Sequence, residues 1–306
     1  MRNQALRADF LMVITAMIWG SGFVAQRIGM DHLGPFAFTG LRFALGAFVL
    51  LPLVLRQGQG AARHEPFLQS GLLLGGLFMG LALTLGINLQ QVGLLFTSVT
   101  NSGFITGLYV IVVPLLGLII GQKTGAGTWL GAFLAVIGMT LLSVGDDFEV
   151  ASGDWIQLAG AFVWGVHVLL VSFFAGRHDA IRLAFLQFVT CAIVSLVLAA
   201  ALEDTSLASI WLAAPALIYG GMFAVGVGYT LQVVAQKHAI ASHAAIILSL
   251  EAVFAAIAGA LFLEESLSMR GYVGCSLMFI GMLTAQLWPR KPSPALLVSE
   301  AVQVKR

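Results

Sequence analysis

Hydrophobic residues gather along this chain into long runs that polar residues interrupt only briefly. Ten such runs occupy residues 9–28, 35–55, 67–90, 96–120, 127–144, 153–174, 181–201, 211–235, 242–263 and 270–288. Crossing ~30 Å of hydrocarbon at 1.5 Å per residue takes about 20 apolar residues, so each run predicts a membrane-spanning helix. Barrel strands are excluded, because the runs are long and do not alternate with period two. The interruptions are Gly34-Pro35, Arg56 to Pro66, Gly125–Gly127, Asp146–Asp154, His178-Asp179 and Glu203–Ser209, all of them turn-forming or polar. Between the third and fourth runs the break falls on Gln90-Gln91-Val92-Gly93 alone. Arg2 and Arg7 before the first run imitate a signal peptide. That run exceeds an ordinary signal core and nine more follow, so a retained first helix is expected.

Composition sharpens this picture. Apolar residues make up 59% of the 306-residue chain and charged residues 9%, against about 25% charged in a water-soluble domain. That excludes a soluble enzyme, a secreted disulfide scaffold and a disordered chain. A net charge of +1 without a basic block excludes nucleic acid as a partner. Cys191 and Cys275 both fall inside spans and read as small apolar fillers. With both ends on the cytoplasmic side, twelve of the fifteen Lys and Arg residues lie there, among them Arg56, Arg63, Lys123, Arg177, Lys237 and Lys291. Only Arg27 and Arg270 lie outside, and Arg42 lies within the second span. This asymmetry sets the expected orientation.

The two halves repeat. Asp9 and Ala16-Met17-Ile18-Trp19-Gly20 match Asp154 and Ala161-Phe162-Val163-Trp164-Gly165 at an offset of 145. Gly131 and Ile137-Gly138-Met139 match Gly274 and Ile280-Gly281-Met282 at an offset of 143, which also sets Gln122 on Glu265. Five helices per half is an odd number, so the second copy enters the membrane upside down, a transporter signature. The expected architecture is an all-α membrane protein of ten transmembrane helices in two inverted five-helix repeats, residues 1–145 and 146–290, with a cytoplasmic tail at 291–306.

The Trp-Gly of each half's first helix, Leu41-Arg42-Phe43, Ser249-Leu250-Glu251-Ala252-Val253-Phe254 and the glycine pair closing each half resemble the drug/metabolite transporter superfamily. More narrowly they resemble its ten-helix EamA-type branch, over residues 9–288. Within that branch the chain is similar to bacterial inner-membrane exporters of amino acids and metabolites, including the aromatic amino-acid group. The resemblance implies export. Two positions depart from the family pattern: Gln122 stands where an acid is usual after the fourth helix, and Ala252 where a proline is usual after the ninth-helix glutamate.

Polar side chains inside hydrocarbon face protein or a water-filled cavity. Here they form stripes at helical spacing: Thr15, Trp19 and Gln26; Thr84, Asn88 and Gln91; Ser98, Ser102, Thr106 and Tyr109 with Asn101 alongside; Trp164 and His167; Tyr219, Tyr229, Gln232 and Gln236. Either these stripes enclose a polar cavity or they are interhelical hydrogen bonds worth about 0.6 kcal/mol each. Trp19 and Trp164 stand at mid-span, as facing cavity walls or as core packing. Glu251, the one acid deep in a span, is either a pathway or proton-relay group or a structural acid. Arg42 lies about 10 Å from its helix end, seven residues at 1.5 Å each, within snorkelling reach, and suits an anchoring or gating role. His167 is either a site residue or a hydrogen-bonded core histidine. Pro114 is expected to kink the fourth helix, and Gly220-Gly221 with Gly226 to loosen the eighth. The candidate substrate-binding set is therefore Trp19, Asn101, Tyr109, Trp164, His167, Tyr229 and Glu251, with Arg42, Pro114 and Gly226 as gating or structural residues.

No nucleotide-binding loop is present, so pumping draws on a gradient, with proton coupling as the candidate. The spans lack the Lys and Arg clusters that phosphorylated solutes require, which favours neutral or zwitterionic metabolites, amino acids above all. A multidrug exporter of the same fold stays open. An enzyme or a channel is less favoured: Asp146, Asp147, Glu149, Glu264 and Glu265 read as solvated loop charges, and no catalytic set, metal site or cofactor motif stands out.

Overall fold

The computed structural model describes residues 2–57, 69–122, 124–143, 151–265 and 268–288. Arg63, Lys123, the acids at 146–149, the junction at 145/146 and the tail at 291–306 lie outside the described residues, as does the side chain of Cys275. Ten apolar helical spans run through the rest: α1 (Arg2–Gly29), α2 (Pro35–Gln57), α3 (Ser70–Gly93), α4 (Val99–Ile119), α5 (Ala126–Ser143), α6 (Ser152–Ala175), α7 (Ala180–Leu202), α8 (Ala214–Gln236), α9 (Ala241–Phe262) and α10 (Met269–Leu287). Eight are long and apolar enough to cross a membrane by themselves, and α5 and α10 are shorter apolar helices. Large hydrophobic side chains such as Phe10, Phe48, Phe78, Phe133 and Phe223 remain exposed on the outside of the bundle. For a water-soluble body that would be a liability; for one solvated by lipid it is the expected surface.

Helix pairing obeys the repeat. α1 packs on α9 as α6 packs on α4, α3 on α7 as α8 on α2, and α3 on α6 as α8 on α1. α2 with α7 and α5 with α10 are self-paired. The α5–α10 crossing displays the symmetry at atomic scale. A Cβ on Gly131 would sit 2.6 Å from the Gly281 carbonyl, and one on Gly138 would sit 2.5 Å from that of Gly274. Under the offset of 143 these two contacts exchange, as antiparallel copies require. Only glycine permits backbones this close.

Several local expectations need correction. α3 does not stop at Gln90 but runs through Gly93 into a short 3₁₀ turn, Leu94–Phe96. The next helix starts where the Ser98 side chain accepts the Asn101 N–H, a stronger start signal than the glutamines. α4 is interrupted at Leu108, between Val99–Gly107 and Tyr109–Ile119, and not at Pro114. α9 is interrupted at the repeat-related place, between Ala241–Leu248 and Glu251–Phe262. Both interruptions tighten into i→i−3 hydrogen bonds, Leu108 N to Ile105 O at 3.1 Å and Leu250 N to Ile247 O at 3.2 Å. The eighth span begins at Ala214, after a separate turn Leu207–Leu212. Its glycine-rich centre, Tyr219–Tyr229, is π-helical, the wider winding that marks functional sites.

One end of the bundle is acidic and held by carboxylates on helix N-termini. Glu203 accepts the backbone N–H groups of Phe36 and Ala37 at the start of α2, at 2.8 and 2.7 Å. Charge-assisted bonds to a helix N-terminus are stabilising, so Glu203→Ala should lower stability by about 1 kcal/mol, read as a fall in thermal midpoint in detergent. Glu265 treats α4 likewise, accepting from Val99 N and Thr100 N at 3.1 Å each and from the Thr100 hydroxyl. Its repeat partner Gln122 makes no side-chain hydrogen bond among the described residues and lies back over Gly117 of its own helix. The clamp is one-sided.

Candidate functional site

Between the two repeats lies a cavity bordered by α1, α2, α3, α4, α6, α8 and α9. Its enclosed volume is about 30 Å³, within about 480 Å³ of interatomic space that includes the mouth. The smaller figure is room for about one water.

Three aromatic rings make one wall. Trp19 and Tyr229 have ring centroids 4.5 Å apart, and Trp164 lies 6.2 Å from Tyr229 with planes 21° apart. Both tryptophans line the cavity, on one wall with Tyr229 against each and not as facing walls. Their indole N–H groups are anchored differently. Trp19 Nε1 donates to the Ala224 carbonyl in the π-helical stretch at 3.1 Å, and Trp164 Nε1 donates to Gln90 Oε1 at 3.1 Å. The Trp19 contact depends on Gly228, where a Cβ would come within 2.7 Å of Nε1.

Arg42 does not snorkel. Only 2% exposed, it reaches inward, and its Nη2 donates to Gln26 Oε1 at 3.3 Å and to Gln91 Oε1 at 3.0 Å. Gln26 Oε1 also accepts from Gln90 Nε2 at 3.1 Å, so one amide joins Arg42 to Gln90 and thereby to Trp164. Phe38 and Phe43 lie 5.3 and 5.5 Å from the guanidinium carbon, and Gly220 leaves room beside its stem. Arg42 Nε is enclosed without a hydrogen-bond partner, and no acid pairs with the guanidinium among the described residues. A permanent cation at such depth costs about 2.5–3.5 kcal/mol on insertion scales, which neutral glutamines relieve only in part.

Glu251 borders the same cavity. It is 4% exposed and opens the second half of interrupted α9, where a half-helix dipole favours negative charge. Tyr109, which opens the second half of interrupted α4, lies beside it. The two backbone breaks thus bring a carboxyl and a phenol to the cavity, as broken helices do in other transporters. Gln232 also lines the cavity, with its Oε1 unpartnered.

Of the expected residues, Trp19, Tyr109, Trp164, Tyr229 and Glu251 therefore meet at one cavity together with Arg42. His167 and Asn101 do not. His167 is fully buried behind Trp164, its Nε2 2.9 Å from Gln187 Oε1, which is the core-histidine arrangement. Asn101 sits in the first turn of α4 at the acidic end. Pro114 is buried below the break in α4, and Gly226 lies within the π-helical stretch, away from the cavity lining. Other stripe residues are interhelical ties: Asn88 Nδ2 donates to Ser195 Oγ at 2.8 Å and Gln236 Nε2 to Ser172 Oγ at 2.9 Å. Gln90 and Gln91 stand at the break after the third run, and Gln91 also continues the stripe of Thr84 and Asn88; in the fold they are 5% and 0% exposed and hold the site together. Of the two, only Gln90 has no signal as a site residue.

Known proteins resemble this chain in fold and in sequence. A solved crystal structure superposes with a TM-score of 0.75 over 92% of this chain and 99% of its own, at 18% identity, a likeness of fold. An uncharacterised transporter of Archaeoglobus fulgidus is 30% identical over 283 residues, covering 92% of this chain and 86% of that protein. A probable amino-acid metabolite efflux pump of Salmonella typhimurium is 29% identical over 166 residues, about half of each chain. YedA of Escherichia coli, an uncharacterised inner membrane transporter, is 27% identical over 160 residues, 48% of this chain and 47% of its own. Residues 6–144 and again 151–285 match the EamA-like transporter family, and with a cavity enclosed between those two copies the chain belongs to that family.

Proposed function

We propose that this transporter exports small zwitterionic metabolites, amino acids foremost, by alternating exposure of the central cavity, with residues 1–145 and 146–290 moving as two units. The observation that carries the reading is a guanidinium and a carboxyl lining one membrane-embedded cavity without an ion pair between them. Between them the rings of Trp19, Tyr229 and Trp164 offer a surface for a neutral side chain. The efflux pump of Salmonella typhimurium named above lends support. The excess of Lys and Arg at one end supports a bacterial inner-membrane location with both termini cytoplasmic. Glu251, the acid at the cavity, is the group through which a proton gradient acts.

Uptake by purified protein in liposomes, across an amino-acid panel with and without a proton gradient, tests the reading. Saturable transport of neutral amino acids, accelerated by the gradient, is the expected result. Gradient-independent exchange would remove Glu251 as proton carrier and leave the substrate class standing. Competition by planar aromatic cations as strong as that by amino acids would turn the reading towards a multidrug exporter.

A further inference from the structure

We infer that the cavity recognises an α-amino acid at both charged ends, Arg42 holding its carboxylate and Glu251, with Tyr109 and Gln232, receiving its ammonium group. This rests on the exporter reading and adds how that exporter selects its solute.

Arg42 has unmet hydrogen-bonding capacity. Arg42 carries five N–H donors in a planar fork, and among the described residues only Nη2 is used. The enclosed Nε makes no hydrogen bond, and none from Nη1 is found among the described residues. A carboxylate engages such a fork through Nε and Nη2 together, so a solute carboxylate would take the unused Nε–H and share Nη2 with the glutamine oxygens. Gln26 and Gln91 hold the guanidinium by Nη2, which fixes its place before any solute arrives.

The opposite need appears elsewhere on the lining. Glu251 has no basic partner among the described residues; the Tyr109 hydroxyl lies against it, and Gln232 Oε1 is enclosed without a partner. A carboxyl, an amide oxygen and a phenol oxygen supply the three acceptors that an ammonium group requires. Arg42 comes from α2 and is tied to α1 and α3; Glu251 comes from α9 beside Tyr109 of α4. Tyr229 lies within electrostatic reach of both.

A cation pole alone would favour organic anions, and an anion pole alone would favour amines. Both poles, unpaired in one cavity of low polarity, favour a solute carrying both charges and no net charge. Truncating either end of such a solute leaves one buried pole unsatisfied, and sites of that kind discriminate strongly.

The test uses L-phenylalanine, phenethylamine (no carboxylate) and 3-phenylpropionate (no amine) as competing solutes for the full-length protein in liposomes. The unmodified protein should prefer phenylalanine to either analogue by about 10- to 100-fold, the effect of one lost charge-assisted bond. Arg42→Gln should abolish the preference over phenethylamine and spare that over 3-phenylpropionate. Glu251→Gln should do the reverse. Two results would overturn the inference: analogues competing as well as phenylalanine on the unmodified protein, which needs no variant to fold, or variants that slow transport with both preferences intact. If neutral amino acids across the broader panel are not carried at all, the exporter reading itself fails. Carriage of other amino acids without phenylalanine overturns only the inference as tested on the aromatic wall.

Discussion

Gly20→Val should cost about 3 kcal/mol or more of stability and leave little monodisperse protein after detergent extraction. Gly20 is where α1 crosses α9 beside the break that presents Glu251. A Cβ there would lie 2.4 Å from Phe254 Cβ and 2.7 Å from both the Ala255 nitrogen and the Glu251 carbonyl oxygen. Two of those three atoms are backbone, so no rotamer change relieves the clash, and α9 must move bodily away from α1. Because Glu251 is on the displaced segment, any protein that does fold should also lose transport. Gly22→Ala, two residues on, is the matched control. A Cβ at Gly22 meets only Ala224 Cβ, at 3.6 Å, an ordinary contact, and stability should change by less than about 0.5 kcal/mol. Thermal unfolding of the two variants compares them directly, and equal midpoints would contradict the packing described for this crossing.

Glu265→Ala should release the acidic-end start of α4. Its carboxylate satisfies two backbone N–H groups and one hydroxyl at once, and charge-assisted bonds of this kind are worth about 2 kcal/mol together. The carboxylate is aimed by Glu264, whose φ of 57° turns the chain back after α9. Losing 2 kcal/mol corresponds to about a 30-fold shift in the open population of that helix end. A cysteine replacing Asn101, in the first turn of α4, reports the change through its reaction rate with a membrane-impermeant maleimide. The rate should rise more than tenfold in the Glu265→Ala background. It should stay unchanged with Glu264→Asn, since asparagine tolerates the left-handed region and leaves the clamp intact. An unchanged rate in both would mean the clamp does not govern access at this end. The clamp has no counterpart in the other repeat: Gln122 occupies the repeat-related position after α4, behind a matching turn at Gly121 with φ 80°. The same backbone turn is present twice and the carboxylate once.

How much of this was written in the order of residues can be judged from particular helices. The spans were legible because lipid demands about 20 consecutive apolar residues wherever a helix crosses, whatever its neighbours. The repeat was legible because Trp19-Gly20 and Trp164-Gly165 fill the same role in each half, each glycine meeting the other half's interrupted helix, Gly20 at Phe254 and Gly165 at Val112. Trp19, Trp164, Tyr109, Tyr229 and Glu251 could be picked out singly, since each is polar or aromatic at a depth where such groups are expensive. Arg42 stands out for the same reason, but its destination is not legible, because distance to the helix end measures the chance of snorkelling and says nothing of amide oxygens on α1 and α3.

What the linear order could not supply is where each backbone gives way and which polar groups find one another. Pro114 drew attention as the kink in α4, whereas the helix breaks at Leu108 opposite the matching break at 249–250, both set by the packing of α4 and α9 against the other repeat. Gln90 belongs to the break between two runs in the linear order, because glutamine is usually solvated; in the folded bundle it and Gln91 are buried by Gln26, Arg42 and Trp164, which arrive from other helices. The sequence alone therefore determined the ten helices and their twofold plan, since each helix obtains its solvation and its backbone hydrogen bonds locally. The tertiary structure alone decided the site, because in lipid a side-chain donor must find its acceptor on a neighbouring helix, and only the assembled bundle specifies which neighbour that is.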